Sequence, residues 1–134
     1  MKVQVQWDNE EQKIVRYKFE QGWAWPDLHH ALDEAGKLIN TVSHRVDVIM
    51  DISNANLVPQ GALSQINRAY NNPKPPNIGI TIIVAPNSFM SAMVNMAKKI
   101  WGNKTEWQLE FVNTIGEAYQ IINANEAKEQ TKNG

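Results

Sequence analysis

The chain contains no cysteine. That single absence excludes disulfides, thiolate metal ligands and cysteine nucleophiles. A surplus of either charge is also missing, with 13 Lys and Arg against 14 Asp and Glu and a formal net charge of -1. Nucleic acid is bound through a basic stripe, and here the cationic residues are scattered, which argues against it as the main partner. No apolar run is long enough to span a membrane. The opening MKVQVQWD alternates like a strand and lacks the apolar stretch of a signal peptide. There is no Gly-rich phosphate loop of either standard form, no nucleophile elbow and no supported pair of catalytic carboxylates. The expectation from these absences is a soluble, cytoplasmic protein without catalytic residues and without a cofactor.

What is present is a regular alternation of patterns over 134 residues, a length that suits one domain with a core of its own. Val3, Val5 and Trp7 alternate with Gln4 and Gln6, and Ile14 to Phe19 form a second β-rich run beyond the polar turn Asp8–Gln12. Together they predict an antiparallel hairpin. Pro26 and Asp27 suit a first helical turn. Leu28, Ala31, Leu32, Ala35, Leu38 and Ile39 then recur at helical spacing. Val46 to Met50 predicts a third strand, buried on both faces as in a parallel sheet.

Next comes DISNANLVPQGALSQINRAY, from Asp51 to Tyr70, which predicts a loop and a second helix. NNPKPPN, residues 71–77, breaks that helix. IGITIIVA, from Ile78 to Ala85, predicts a buried fourth strand, followed by a third helix to about Trp101. Glu106 to Val112 predicts a fifth strand. Thr114 and Glu117 have the spacing of a capping box at the start of a fourth helix. From about Asn125 the chain is polar and aperiodic, so residues 125–134 are expected to be a mobile tail behind a domain over 1–124. The expected fold is α/β, in the order β-β-α-β-α-β-α-β-α, with a mixed, mainly parallel five-stranded sheet and four helices.

This order, with the strand ending in Asp51-Ile52-Ser53, the unit IIVAPNSFMSAMVNMAKKI and the closing LEFVNTIGEAYQII, resembles the STAS domain superfamily. That superfamily includes bacterial anti-sigma-factor antagonists and the cytoplasmic domains of sulfate transporters. The resemblance covers about Met1 to Ala124. Trp23-Ala24-Trp25 and Asn54-Ala55-Asn56 make the chain similar to a divergent group of small bacterial STAS-like proteins. In the antagonists, a serine at the start of the second helix is phosphorylated, within a motif of aspartate, two small or hydroxyl residues, glycine and leucine. Counted from Asp51, those positions fall on Pro59, Gln60, Gly61, Ala62 and Leu63. Gly61 stands at the phosphoacceptor position and offers no hydroxyl, and Ser64 lies almost one turn deeper. The resemblance thus implies a regulatory, protein-binding scaffold without its usual switch.

Two surfaces are candidates for function. Ligands of open α/β sheets bind beyond the carboxyl ends of the strands, and helix starts near Pro59 and Asn87 would offer free N–H groups there. Asn54, Asn56, Gln60, Gly61, Asn87 and Ser88 would line such a site for a small anion, nucleotide or lipid. The competing reading is that these residues only cap turns and helices. On the third helix, Met90, Val94 and Trp101 fall beside the inward stripe of Phe89, Met93, Met96, Ala97 and Ile100. With Ser64 they would form an interface for a protein partner or for self-association, against a bland reading of deep packing. Trp23 and Trp25 flank the first helix start, either lining a pocket or packing as a staple. His29 with Asp33 and His30 with Glu34 have i,i+4 spacing, but no third ligand accompanies them, so a solvated helix face is expected and no metal site. Asp51 is expected to fix the following loop through its side chain.

Overall fold

The computed structural model describes residues 2–54, 61, 64, 65, 68, 75–86, 95 and 109–133, with side chains through residue 126 in the final helix. Five strands and two helices appear among them. They are β1 (Val3–Trp7), β2 (Ile14–Phe19), α1 (Trp25–Asn40), β3 (Val46–Asp51), β4 (Ile78–Val84), β5 (Leu109–Val112) and α2 (Ile115–Asn133). Of the second helix expected from the sequence only Ser64, Gln65 and Arg68 are described, and of the third only Asn95, all of them helical; residues 106–108 of the fifth strand lie outside the described residues.

The strands lie side by side in chain order, in one five-stranded mixed sheet. β1 and β2 are antiparallel, with Val5 opposite Tyr17, as a short turn between alternating runs dictates. The β2–β3, β3–β4 and β4–β5 pairings are parallel. Parallel neighbours need a crossover, which the intervening segments supply.

The two faces carry separate cores. On one, Val3, Val15, Tyr17, Phe19, Val46 and Val48 pack with Leu28, Ala31, Ala35 and Ile39 of α1. On the other, Ile14, Ile49, Ile80, Ile82, Val84 and Val112 pack with Ala118 and Ile122 of α2. Alternation along each strand sends successive side chains to opposite cores, and each fully buried aliphatic side chain contributes roughly 1.5–3 kcal/mol. Beside the α2 core, the same face over β1 and β2 is polar, with Gln4, Gln6 and Lys18 exposed.

α1 begins as the sequence suggests. Pro26 sits in its first turn and the Asp27 carboxylate accepts the Ala24 N–H at 2.9 Å. At the start of α2, Thr114 Oγ1 accepts the Glu117 N–H at 3.2 Å. Glu117 meets the Thr114 hydroxyl, at 3.3 Å, rather than the Thr114 backbone N–H of a full capping box. α2 continues to Asn133, through the residues whose polarity suggests a mobile tail. Ala, Glu, Lys and Gln dominate that stretch, and these are good helix formers without an apolar stripe. No helix among the described residues is long and apolar enough to cross a membrane.

β3 and β4 do not pair evenly. Val46 faces Ile78 and Val48 faces Thr81, so Gly79 and Ile80 together oppose Asp47. At this bulge Asp47 Oδ1 accepts the Ile80 N–H at 2.9 Å, and Oδ2 accepts from Arg45 at 3.1 Å. A buried carboxylate inside a central strand is thereby satisfied.

Candidate functional site

At the carboxyl end of β3 the chain turns sharply on Asp51. Its Oδ1 accepts both the backbone N–H of Ser53, at 3.1 Å, and the Ser53 hydroxyl, at 2.5 Å. This is an Asx-type turn, in which a short carboxylate replaces a backbone acceptor. Oδ2 accepts a 3.0 Å bond from Arg16 of β2. Asp51 is therefore a turn-former, and Ser53 and Asn54 are exposed beyond it.

Arg16 extends the network away from the turn. Its second terminal nitrogen lies 3.6 Å from Asp8, and the Tyr119 hydroxyl of α2 donates to the same Asp8 carboxylate, 2.7 and 2.8 Å from its oxygens. A polar chain thus runs from Ser53 through Asp51, Arg16 and Asp8 to Tyr119. Burial pushes the Asp51 carboxyl upward, but the bonds from Ser53 and Arg16 outweigh it and hold the group below the ordinary carboxylate range. The Asp51 bond raises Arg16 against the opposing effect of burial. Tyr119 is pushed up to about 12, by burial first and then by Asp8. Every member has a donor or acceptor partner, the pattern of a structural brace between the strand end and α2.

Gly61 lies beyond the turn, exposed, at φ +84°. Its carbonyl accepts the Gln65 N–H at 3.1 Å and the Ser64 hydroxyl at 3.2 Å. Ser64, Gln65 and Arg68 are helical, so Gly61 stands at a helix start. Among the described residues, nothing lies within 4 Å of the place a Gly61 side chain would occupy. Of the sequence-derived candidates, Asn54, Gly61 and Ser64 are described; Asn56, Gln60, Asn87, Ser88, Met90, Val94 and Trp101 lie outside the described residues. Ser64 is exposed, and its hydroxyl bonds back to Gly61.

Comparison with protein-family models, with curated proteins and with solved structures finds no match.

Around α1, one contact departs from the sequence expectation. His29 does not pair with Asp33; its Nε2 lies 2.6 Å from Gln65 Oε1, tying α1 to the helical turn after Gly61. His30 does meet Glu34, at 3.7 Å, on an exposed face. Among the described residues no group of three potential metal ligands comes together. Trp23 packs edge-on against both Phe19 and Trp25, at 5.0 and 4.9 Å between ring centres, and its buried indole N–H has no partner among the described residues. That is the geometry of a staple under α1.

At the opposite end of the sheet lies an open cavity of about 710 Å³, which no sequence motif announces. Ile14 and Ile122 line it together with Lys13, His44, Arg45 and Glu126. Lys13 bridges Glu126 and Glu11 at 3.2 and 3.4 Å, and Arg45 holds Asp47, so its charges are paired within the wall. Its residues come from the β1–β2 turn, the entry to β3 and the middle of α2, and only the tertiary fold brings these together.

Proposed function

We propose that the chain is a non-enzymatic STAS-like regulatory or protein-interaction domain of the bacterial cytoplasm, working without the usual phosphoserine switch. The observation that supports this most directly is Gly61. It stands at a helix start after the Asp51 turn, where the resembling antagonists carry a phosphorylated serine, and it carries no hydroxyl. The braced network around Asp51 supports a non-catalytic reading, since its groups are committed to one another. In this reading the finer fold is STAS-like too, with a mainly parallel sheet and four helices. The partner-binding face carries Ser64, Met90, Val94 and Trp101, and no cofactor takes part.

Co-purification followed by native mass spectrometry tests the proposal. The expected result is a defined complex whose yield falls at least several-fold in Met90→Asp or Trp101→Asp, with the melting temperature retained. Equal complex yield in the variants, or a chain that remains alone, sinks it.

A second reading is supported by the open surround of Gly61 and by exposed Asn54 beside the same strand end. In it, a small anion, nucleotide or lipid binds at the helix start. Ligands bound to the native state raise its stability, so thermal shifts with phosphate, ATP and a fatty acid discriminate the two readings. A saturable shift lost in Gly61→Val favours the ligand site, and no shift removes it.

A further inference from the structure

β1 is an edge strand of the sheet, and no described strand lies on its other side. The Glu20 N–H bonds the Lys2 carbonyl at 2.8 Å, and the Asp8 N–H bonds the Ile14 carbonyl at 2.8 Å. In an antiparallel ladder the hydrogen-bonded positions alternate, so Lys2, Gln4, Gln6 and Asp8 turn their backbone groups toward β2. Val3, Val5 and Trp7 therefore turn theirs outward. Val3 is only 3% exposed, which closes its end of the edge. Val5 and Trp7 are half-buried and sit at the margin of the α1-side core.

Edge strands in soluble proteins are guarded by charge, proline or a bulge, and VQVQW has none of these. From these features we infer that two copies of the chain join through β1, antiparallel, about a two-fold axis at Gln6, and so extend the sheet across both. The register is fixed by what is open. With Gln6 on the axis, Val5 of each copy faces Trp7 of the other, and both pairs are hydrogen-bonded ones. Val5 and Trp7 point to the same face, so each half-exposed valine is covered by the other copy's indole. On the opposite face Gln6 meets Gln6, a neutral contact that suits a position on the axis.

Charge favours a second copy over an unrelated strand. Antiparallel pairing about Gln6 carries Lys2 of each copy toward Glu10 in the other's β1–β2 turn. The attraction occurs twice, once at each end of the seam. An axis at Val5 would instead bring Trp7 against the buried Val3 and gain little apolar cover.

The test uses the full chain and does not touch the helix surface proposed above, so either idea can fail alone. Sedimentation equilibrium should give twice the 15.2 kDa chain mass for the unaltered protein. Gln6→Glu and Gln6→Lys each place like charges face to face on the axis and should weaken the dimer about tenfold. An equimolar mixture of the two should restore it as a heterodimer. Gln6 is exposed, and circular dichroism checks that each variant stays folded. Amide exchange gives a second readout, in which Val5 and Trp7 are protected in the dimer and lose protection in Gln6→Glu, while Gln4 keeps its β2 bond. A monomer in the unaltered protein overturns the inference. So does a dimer that both variants leave intact, or exchange at Val5 and Trp7 as fast in the unaltered protein as in Gln6→Glu.

Discussion

Arg16 and Asp51 are diagonal neighbours across the β2–β3 ladder, joined by a 3.0 Å hydrogen bond. Arg16 stands opposite Ile49, two residues short of Asp51, so its guanidinium leans along the sheet to reach the strand end. The Asp51 side chain is 9% exposed and that of Arg16 is 31% exposed. Removing the carboxylate leaves the Ser53 N–H and the guanidinium with weaker acceptors. Asp51→Asn should lower stability by about 1.5–3 kcal/mol, measured by urea denaturation, the range for hydrogen bonds to charged groups.

Acid should reveal the same bonds. The folded-state pKa of Asp51 is lowered, so the native state favours the ionised form. Its contribution is full above the unfolded value of about 3.9 and is lost as pH falls through the folded value below that. The unfolding free energy of the unaltered protein should therefore fall more steeply below pH 4 than that of Asp51→Asn. Parallel curves for the two proteins would show that Asp51 is not held as described.

At the β4 bulge, Gly79 is required by space rather than by backbone angle. A Cβ there would stand 2.8 Å from Arg45 Nε and closer still to Asp47 Oδ1. Accommodating it pushes Asp47 off the Ile80 N–H that its carboxylate satisfies. Gly79→Ala should cost about 2–4 kcal/mol, combining overpacking with a buried unsatisfied N–H. Chemical denaturation checks it, with the Ile80 amide exchanging faster as the local signature.

These cases show where the sequence is readable. The hairpin, α1 and the Asp51 turn depend on residues close in the chain, so alternation, Pro26 and an Asx turn reveal them. Arg16 reaches Asp51 over 35 residues and Tyr119 reaches Asp8 over 111, and both contacts depend on which strands pair and in what register. A polar residue inside a strand pattern, such as Arg16 or Asp47, signals only that some partner exists. The Gly79 bulge is similar: a glycine in a strand hints at one, but Asp47 as its filler emerges only from the β3–β4 register. The helix after Asn125 was hidden because helix propensity without an apolar stripe reads as tail.

Asn77 closes the connection between α1 and β3. Its Nδ2 lies 3.0, 3.1 and 2.9 Å from the carbonyls of Ile39, Val42 and His44. They lie at the end of a helix and in the loop beyond it, where carbonyls lack i+4 partners, though that of Ile39 also accepts the Val42 N–H at 3.4 Å. Asn77→Ala strips all of them at once, and Asn77→Asp replaces the donor with an acceptor facing acceptors. The alanine variant should lose about 1–3 kcal/mol and the aspartate variant more at pH 7 than at pH 3, read from thermal melts at both pH values. An aspartate variant as stable as the parent at pH 7 would contradict the clamp.

Tyr119 offers the complementary test at alkaline pH. Its hydroxyl donates to Asp8, and burial together with that carboxylate pushes its pKa up to about 12. Tyr17 is raised as well, by burial first and the charge of Asp33 second. For a tyrosine with a raised folded value the native state holds the proton. The stabilisation is present below the unfolded value of about 10 and is lost as pH climbs from there toward the folded value. Phenolate absorbance should show these two residues ionising late, with a step near unfolding rather than a titration at pH 10. Tyr119→Phe should remove one late-titrating group and lower stability by about 1.5 kcal/mol at pH 7, the lower end of the range for a hydrogen bond to a charged acceptor. Because Asp8 also faces Arg16, the double variant Tyr119→Phe/Asp51→Asn should deviate from additivity, since both substitutions act on one hydrogen-bonded chain. Strict additivity would mean that the turn at Ser53 and the helix at Tyr119 are energetically separate, despite the unbroken line of contacts between them.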